Sequence, residues 1–244
     1  NKSNASATVS KNSAINAKDL VLSKISTLPS SEEIQTEENT ASSALSSTRT
    51  SVTSAIAAVN AASTSETVNA DDVGNISMSA NNLKSSNTAV LENAQVFKTK
   101  VTEGTYKTTL DEASVKVSEA LLAKNSAKTA KDSAELAMNN MNTALELFTA
   151  EDLGNITIDG GNESTNEVDM DNGEITLNES IIFTEELLNK LKDKLLAEYN
   201  SAKSAYEDAD EAYELAKVIY DNKNESLNTA ATNSVNNAQA AVNE

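Results

Sequence analysis

The sequence predicts a mainly α-helical chain of elongated antiparallel hairpins, with Ala/Tyr heptad seams and a small β-hairpin or three-stranded β tip near 155–178. Three observations predict it. Alanines and tyrosines recur at intervals of seven over long stretches. One proline and six glycines leave few helix breakers in 244 residues. Asn172-Gly173, flanked by alternating apolar residues, is a strong short-range hairpin signal.

Composition narrows the class further. Apolar residues make up 39% of the chain and aromatics only 3%, so alanine supplies much of the candidate core. At about 25 cal/mol per Å² an alanine core stabilises little per residue, which predicts closely packed helices around a thin interior. Ser, Thr and Asn are abundant and favour caps and turns over helix interiors. Helix formation therefore has to rest on a packed seam rather than on propensity.

Taken in order, Asn1–Ala14 is polar and without evident pattern, and reads as an arm that is disordered or ordered only by a partner. Leu20, Val21, Ile25 and Leu28 mark a short amphipathic helix stopped by Pro29. Ser30 or Ser31, followed by Glu32 and Glu33, signals the cap of the next helix. From Ala41 a heptad runs through Leu45, Val52 and Val59, with Thr48, Ala55 and Ala62 between them. A second follows in Leu83, Val90 and Phe97, with Ala94 and Val101 interleaved and a break at Gly104.

Beyond Tyr106, Ala113, Ala120, Ala127 and Ala134 form one series, and Ala123, Ala130, Ala137 and Ala144 another, making a stripe on one helix face. Tyr199, Tyr206, Tyr213 and Tyr220 form the strongest series, with Ala202, Ala209 and Ala216 interleaved. The expected packing sets these tyrosines as knobs into holes lined by the alanines of the 106–148 helix. Equal distance from an intervening tip would bring Tyr213 beside Val117. An aromatic ladder for a ligand such as a glycan is the sharper alternative, but heptad spacing alone accounts for the stripe.

The stretch ADDVGNISMS at 70–79 returns as AEDLGNITID at 150–159. Gly74 and Gly154 stand where a left-handed helix terminator fits. Ile76 and Met78, like Ile156 and Ile158, alternate as in a short strand. A duplicated unit of helix, sharp turn and returning helix is the simplest account. The second copy carries an insertion in which pairing about Asn172-Gly173 sets Met170 against Ile175 and Val168 against Leu177. The domains expected are an N-terminal arm and short helix over 1–30, a first hairpin over 31–104, and a longer hairpin with the β tip over 105–244.

Function is bounded mostly by exclusion. A net charge of −18 opposes binding to nucleic acid or anionic lipid. No apolar run is long enough for a transmembrane helix, and no signal peptide is visible. An initial Asn in place of Met points to a start set by processing or by a cut from a longer chain. With no His and no Cys, imidazole and thiol chemistry are excluded, and Arg49, the single arginine, makes no anion clamp. No phosphate loop is present. The carboxylates of Asp208 and Asp210 fall on an expected solvated helix face. The insertion matches an EF-hand loop at Asn172, Gly173, Ile175, Thr176 and Glu179, but Val168 and Met170 occupy its first and third positions. A looser calcium site would use Asp159, Asp169 and Asp171. Asn-x-Ser/Thr occurs about as often as the composition alone dictates.

In composition the chain is similar to the alanine-heptad rods of virion fibres and microbial surface proteins, a likeness that rests on no motif. The expected function is non-enzymatic: a structural protein assembling with copies of itself or other structural proteins into an extracellular coat, fibre or appendage of a virion or cell surface. No cofactor, nucleic acid or membrane insertion is expected. The alternative is an adhesin or receptor-binding rod whose tip, with Asn162, Glu163, Asp171, Asn172 and Gly173, meets a partner.

Overall fold

The computed structural model describes residues 2–63, 70–147, 157–158, 181–182 and 185–244. Among the described residues five helices dominate: α1 (Lys2–Ile25), α2 (Ser31–Ser63), α3 (Ala70–Thr102), α4 (Thr105–Leu147) and α5 (Glu185–Asn243). Two short strands, β1 (Thr157–Ile158) and β2 (Ile181–Ile182), pair antiparallel with Thr157 opposite Ile182. The mainly helical class expected from the heptads is what the chain adopts. The residues about Asn172-Gly173 that would build the β tip lie outside the described residues.

The chain groups into two compact units, one of residues 1–21 and 115–217, the other of 22–114 and 218–244. This grouping cuts across the division at 30 and 104 drawn from the sequence, because α1, α4 and α5 each contribute to both units.

In the first unit α1, α4 and α5 share an alanine core. Ala7, Ala130, Ala134, Ala202 and Ala205 form one layer. Ala14, Ala123, Ala127, Ala209 and Ala212 form the next. Each member of the second layer lies seven residues from its counterpart in the first, forward along α1 and α5 and backward along α4. The three helices thus repeat one contact at heptad intervals, with α4 antiparallel to the other two.

The expectation of an arm over Asn1–Ala14 is overturned here: Lys2 onward is helical, and Ala7 and Ala14 are fully buried. The physical reason is that a helix with small seam residues looks polar in composition, yet its alanines let a neighbour approach closely.

The second unit repeats the arrangement with α2, α3 and α5. Leu28, Ile34, Phe97, Val101, Leu110 and Leu227 form a bulkier cluster with Ala230 and Ala231. Ala41, Ala94 and Ala238 follow. Beyond them Asn87 Nδ2 donates to Thr48 Oγ1 at 2.7 Å and to the Ala241 carbonyl at 2.8 Å, tying the three helices at one level. Successive levels advance along α2 and α5 and retreat along α3, so α3 is the antiparallel member.

The punctuation follows local chemistry. Helix α1 ends before Pro29, and Leu28 turns into the core. Ser30 and Glu33 form a reciprocal capping box, with Glu33 N–H donating to Ser30 Oγ at 3.2 Å and Ser30 N–H to Glu33 Oε2 at 2.6 Å. The Ser30 N–H, and after it the Ser30 hydroxyl, hold the Glu33 carboxyl below its ordinary range. Lys223 Nζ donates to the Pro29 carbonyl, and burial lowers its pKa. At Gly104 both its own N–H and that of Glu103 donate to the Thr99 carbonyl at 2.9 Å. A Cβ at Gly104 would stand 2.9 Å from the Lys100 Cα, so the break needs glycine for space.

Ser and Thr are accommodated within the helices because hydroxyls bond back to the carbonyl four residues earlier. Thr40 does so to Thr36 at 2.8 Å, and Ser133 to Thr129 at 2.8 Å.

The first copy of the echo is also corrected. Residues 70–79 open helix α3, with Gly74 inside it and Ile76 and Met78 on helical turns rather than a strand. A glycine costs a helix only about 1 kcal/mol relative to alanine, which the packing of α3 against α2 offsets. Gly154 lies outside the described residues. Thr157 and Ile158 of the second copy are extended, whereas their counterparts Ser77 and Met78 are helical.

The polar seam of the second unit yields a paired prediction. Ser234 is fully buried with its hydroxyl unbonded. Replacing it with alanine is expected to raise stability by roughly 1 kcal/mol, whereas Asn87→Ala lowers it by about 1–3 kcal/mol. Denaturant melts of the two variants check both signs, and a destabilised Ser234→Ala chain would contradict this reading of the hydroxyl.

Candidate assembly seam

The seam is built from small residues upward. Ala120, Ala127 and Ala134 of the first unit are 0–4% exposed, and Ala113 in the second unit is fully buried. Ala202, Ala209 and Ala216 of α5 are likewise fully buried. Alanine meets alanine at the centre, which brings backbones close and leaves no room for a larger knob.

The tyrosines therefore flank the seam rather than fill it. Tyr199 packs on the first alanine layer and Tyr206 on the second, each half-buried. Tyr220 packs on the bulkier cluster of the second unit. The placement of Tyr213 beside Val117 is corrected: Lys124, one heptad further along α4, lies 4.8 Å from its ring centroid. Lys131 stands level with Tyr206 and Lys124 with Tyr213, so the pairing of α4 with α5 does not follow equal distance from the segment between them.

Two lysines of α4, Lys124 and Lys131, stand over this aromatic edge. Lys131 Nζ stands 5.9 Å from the Tyr206 centroid, and in the second unit Lys100 Nζ stands 5.8 Å from that of Tyr106. These are cation–π distances, and each adds electrostatic attraction to the apolar contact. Lys124 also bonds Asp210 at 2.5 Å and Glu214 at 3.4 Å. Lys11 of α1 bonds Asp208 at 2.6 Å. Asp208 and Asp210, expected on a solvated face, are thus paired with lysines of α1 and α4.

The Asp210 hydrogen bond raises the Lys124 pKa above its ordinary value, against the opposing effect of burial. The Asp132 hydrogen bond does the same for Lys131. Lys128, bonded at 2.6 Å, and then Lys131 hold the Asp132 carboxyl below its usual range.

Chemically, this arrangement aligns helices through small buried residues at the centre and paired charges at the edge. Among the described residues no cluster of His, Cys, Asp or Glu is placed to hold a metal ion. The calcium candidates Asp159, Asp169 and Asp171, and the tip residues Asn162, Glu163, Asn172 and Gly173, lie outside the described residues. The single arginine, Arg49, bonds Glu244 at 3.1 Å. No described helix is long and apolar enough to cross a membrane.

Sequence reasoning missed α1 as a seam element, and with it Lys11. The signal was present: Ala7, Ala14 and Val21 are seven apart, with Ser10 and Ala17 interleaved, and all five are buried.

Two measurements probe the seam. Ala127→Leu adds apolar surface yet is expected to cost about 1–3 kcal/mol, because the layer has no space for it. Tyr206→Ala, at the half-buried edge, is expected to cost less. An Ala127→Leu chain more stable than the parent would contradict close alanine packing. Stability from the raised Lys124 pKa is fully present below the ordinary value of 10.5 and is lost as pH rises through the folded value. Lys124→Met should therefore flatten the alkaline limb of a pH melt. Stability from Asp132 is present above 3.8 and is lost as pH falls through its lowered value, and with Glu33 it contributes to the acid limb.

In comparisons with known proteins, no protein-family model, no curated protein and no solved structure matches this chain.

Proposed function

We propose that this chain is a non-enzymatic structural protein that assembles with copies of itself, or with other structural proteins, into a coat, fibre or appendage outside a cell or on a virion. The observation that carries the reading is the translation of one alanine layer into the next by a heptad on three helices at once. A core of this kind serves length and regularity. It forms a thin seam in which ionisable groups are paired at the edge, as Lys124 is with Asp210. An exterior of Ser, Thr and Asn suits a hydrated surface outside the cell.

A second reading is favoured by one feature. The β1–β2 pair joins Ile158 to Ile181 and so closes the base of the segment between them. A segment closed at its base and carried by long helices is where a partner contact is readily placed. In that reading the chain is an adhesin or receptor-binding rod, and the β tip near 155–178 makes the contact.

Native mass measurement over a concentration series, with electron microscopy of the same samples, tests the first reading. Ordered oligomers are expected. A chain that stays monomeric throughout contradicts it. Replacing residues 160–173 with a short Gly-Ser linker is expected to leave helicity and self-association intact, since closure entropy grows slowly with loop length. Loss of self-association with helicity retained would move the assembly contact to that segment.

A further inference from the structure

Helix α4 carries a second heptad, on the side away from its alanine seam. Val115, Leu122, Thr129 and Leu136 are seven apart, each two residues past one of Ala113, Ala120, Ala127 and Ala134. Those alanines are buried, whereas Val115, Leu122 and Leu136 are 56–66% exposed, and Thr129 is exposed with them. Beside the stripe runs a trough of about 400 Å³ between α1 and α4. Ser6 of α1 and Ser126, Thr129, Ala130 and Ser133 of α4 line it, with Lys2 at the start of α1. Val9 and Leu20 add exposed apolar surface on α1. All these residues belong to the first unit.

The polar members of this face are already satisfied. Ser126 Oγ donates to the Leu122 carbonyl at 3.0 Å, Thr129 Oγ1 to that of Asn125 at 3.1 Å, and Ser133 Oγ to that of Thr129 at 2.8 Å. Each hydroxyl proton is bonded within α4, so a neighbour seated on these residues leaves no donor unpaired. The two ion pairs beside the stripe, Lys116–Glu119 at 2.7 Å and Lys128–Asp132 at 2.6 Å, likewise close along the helix.

Period and symmetry identify the occupant. Apolar residues at intervals of seven mark a face that meets another helix. About Thr129 the stripe reads alike in both directions, with Leu122 and Leu136 one heptad to either side. A stripe that matches its own reverse meets the condition for an isologous contact between two copies. In an antiparallel pair centred on Thr129, Leu122 of each copy lies level with Leu136 of the other, Asp132 with Ser126, and Glu119 with Asn139. No like charges meet in that register. Size agrees as well. Val115 to Leu136 rises about 32 Å, and two adjacent helices make a face about 20 Å wide. Roughly 600 Å² per copy, about 1,200 Å² in all, reaches the area of a specific interface.

We propose that the α1–α4 face docks the same face of a second copy about a two-fold axis at Thr129, with the two α4 stripes antiparallel at its centre. The proposal rests on the self-assembly reading and names the surface at which two chains meet.

Sedimentation velocity of the full chain, run with far-UV circular dichroism, tests it. The parent chain is expected to associate with rising concentration. Leu122→Glu and Leu136→Glu each bring a carboxylate from both copies into the contact, and each is expected to weaken association by about tenfold or more. Both side chains are exposed in the single chain, so helicity is expected to stay unchanged. Val96→Glu, at an exposed apolar position of α3 in the other unit, is expected to leave association as it was. Because the chain has no cysteine, Thr129→Cys supplies an independent readout. A residue on the axis meets its own counterpart, so mild oxidation is expected to link this variant into disulfide dimers and to leave Val96→Cys monomeric. Association undisturbed by both stripe carboxylates, with no cross-link in the Thr129→Cys chain, overturns this surface and leaves self-assembly standing. A parent chain that never associates overturns both.

Discussion

The contact on which the structure depends is alanine against alanine across three helices. Each such contact removes little apolar area from water, and a single layer would not hold helices of this composition together. Repetition compensates. The layer of Ala7, Ala134 and Ala202 is followed one heptad on by that of Ala14, Ala127 and Ala209. Small side chains let the helices approach closely, and close approach brings dispersion contacts between backbones that larger residues would prevent. The same constraint explains why the tyrosines stand outside and why lysines can reach their rings. A helix face that is alanine at its centre needs bulk only at its edge.

Specificity has to come from elsewhere, because alanine layers one heptad apart look alike and a slip by seven residues would repeat most of them. Three features resist slippage. The Asn87 amide bridges Thr48 and the Ala241 carbonyl at one level only, the use of a buried polar residue to fix register. Leu28, Phe97, Val101 and Leu227 concentrate bulk near the breaks at Pro29 and Gly104. Lys124 and Lys11 pair with Asp210 and Asp208, two residues apart on α5 but directed to different helices.

Much of this was legible in the sequence. The alanine series of α4 and α5, the Ser30–Glu33 box, the stop at Pro29 and the break at Gly104 all carry local chemical signals. What escaped did so for physical reasons. The first half of helix α1 escaped because Ala7 and Ala14 are too small to stand out among polar neighbours, although their spacing is the same as in α4. Gly74 was misread because a glycine signals a turn only where nothing outweighs its modest cost, and here the helix packs on α2. The α4–α5 register was misjudged by one heptad because near-identical layers make several registers look equivalent until the lysine–tyrosine edge selects one.

Packing of the seam, rather than helix propensity, is the central claim, and α1 tests it most directly. With its Ser and Asn content, this segment has weak intrinsic tendency to be helical, and its burial depends on α4 and α5. Hydrogen exchange of the intact chain, read by mass spectrometry on peptides covering Ala7–Val21, measures that dependence. The account predicts protection comparable to the 120–134 stretch of α4, because both belong to the same alanine layers. Exchange of the Ala7–Val21 amides at the rate of an unstructured chain, with α4 protected, would contradict it.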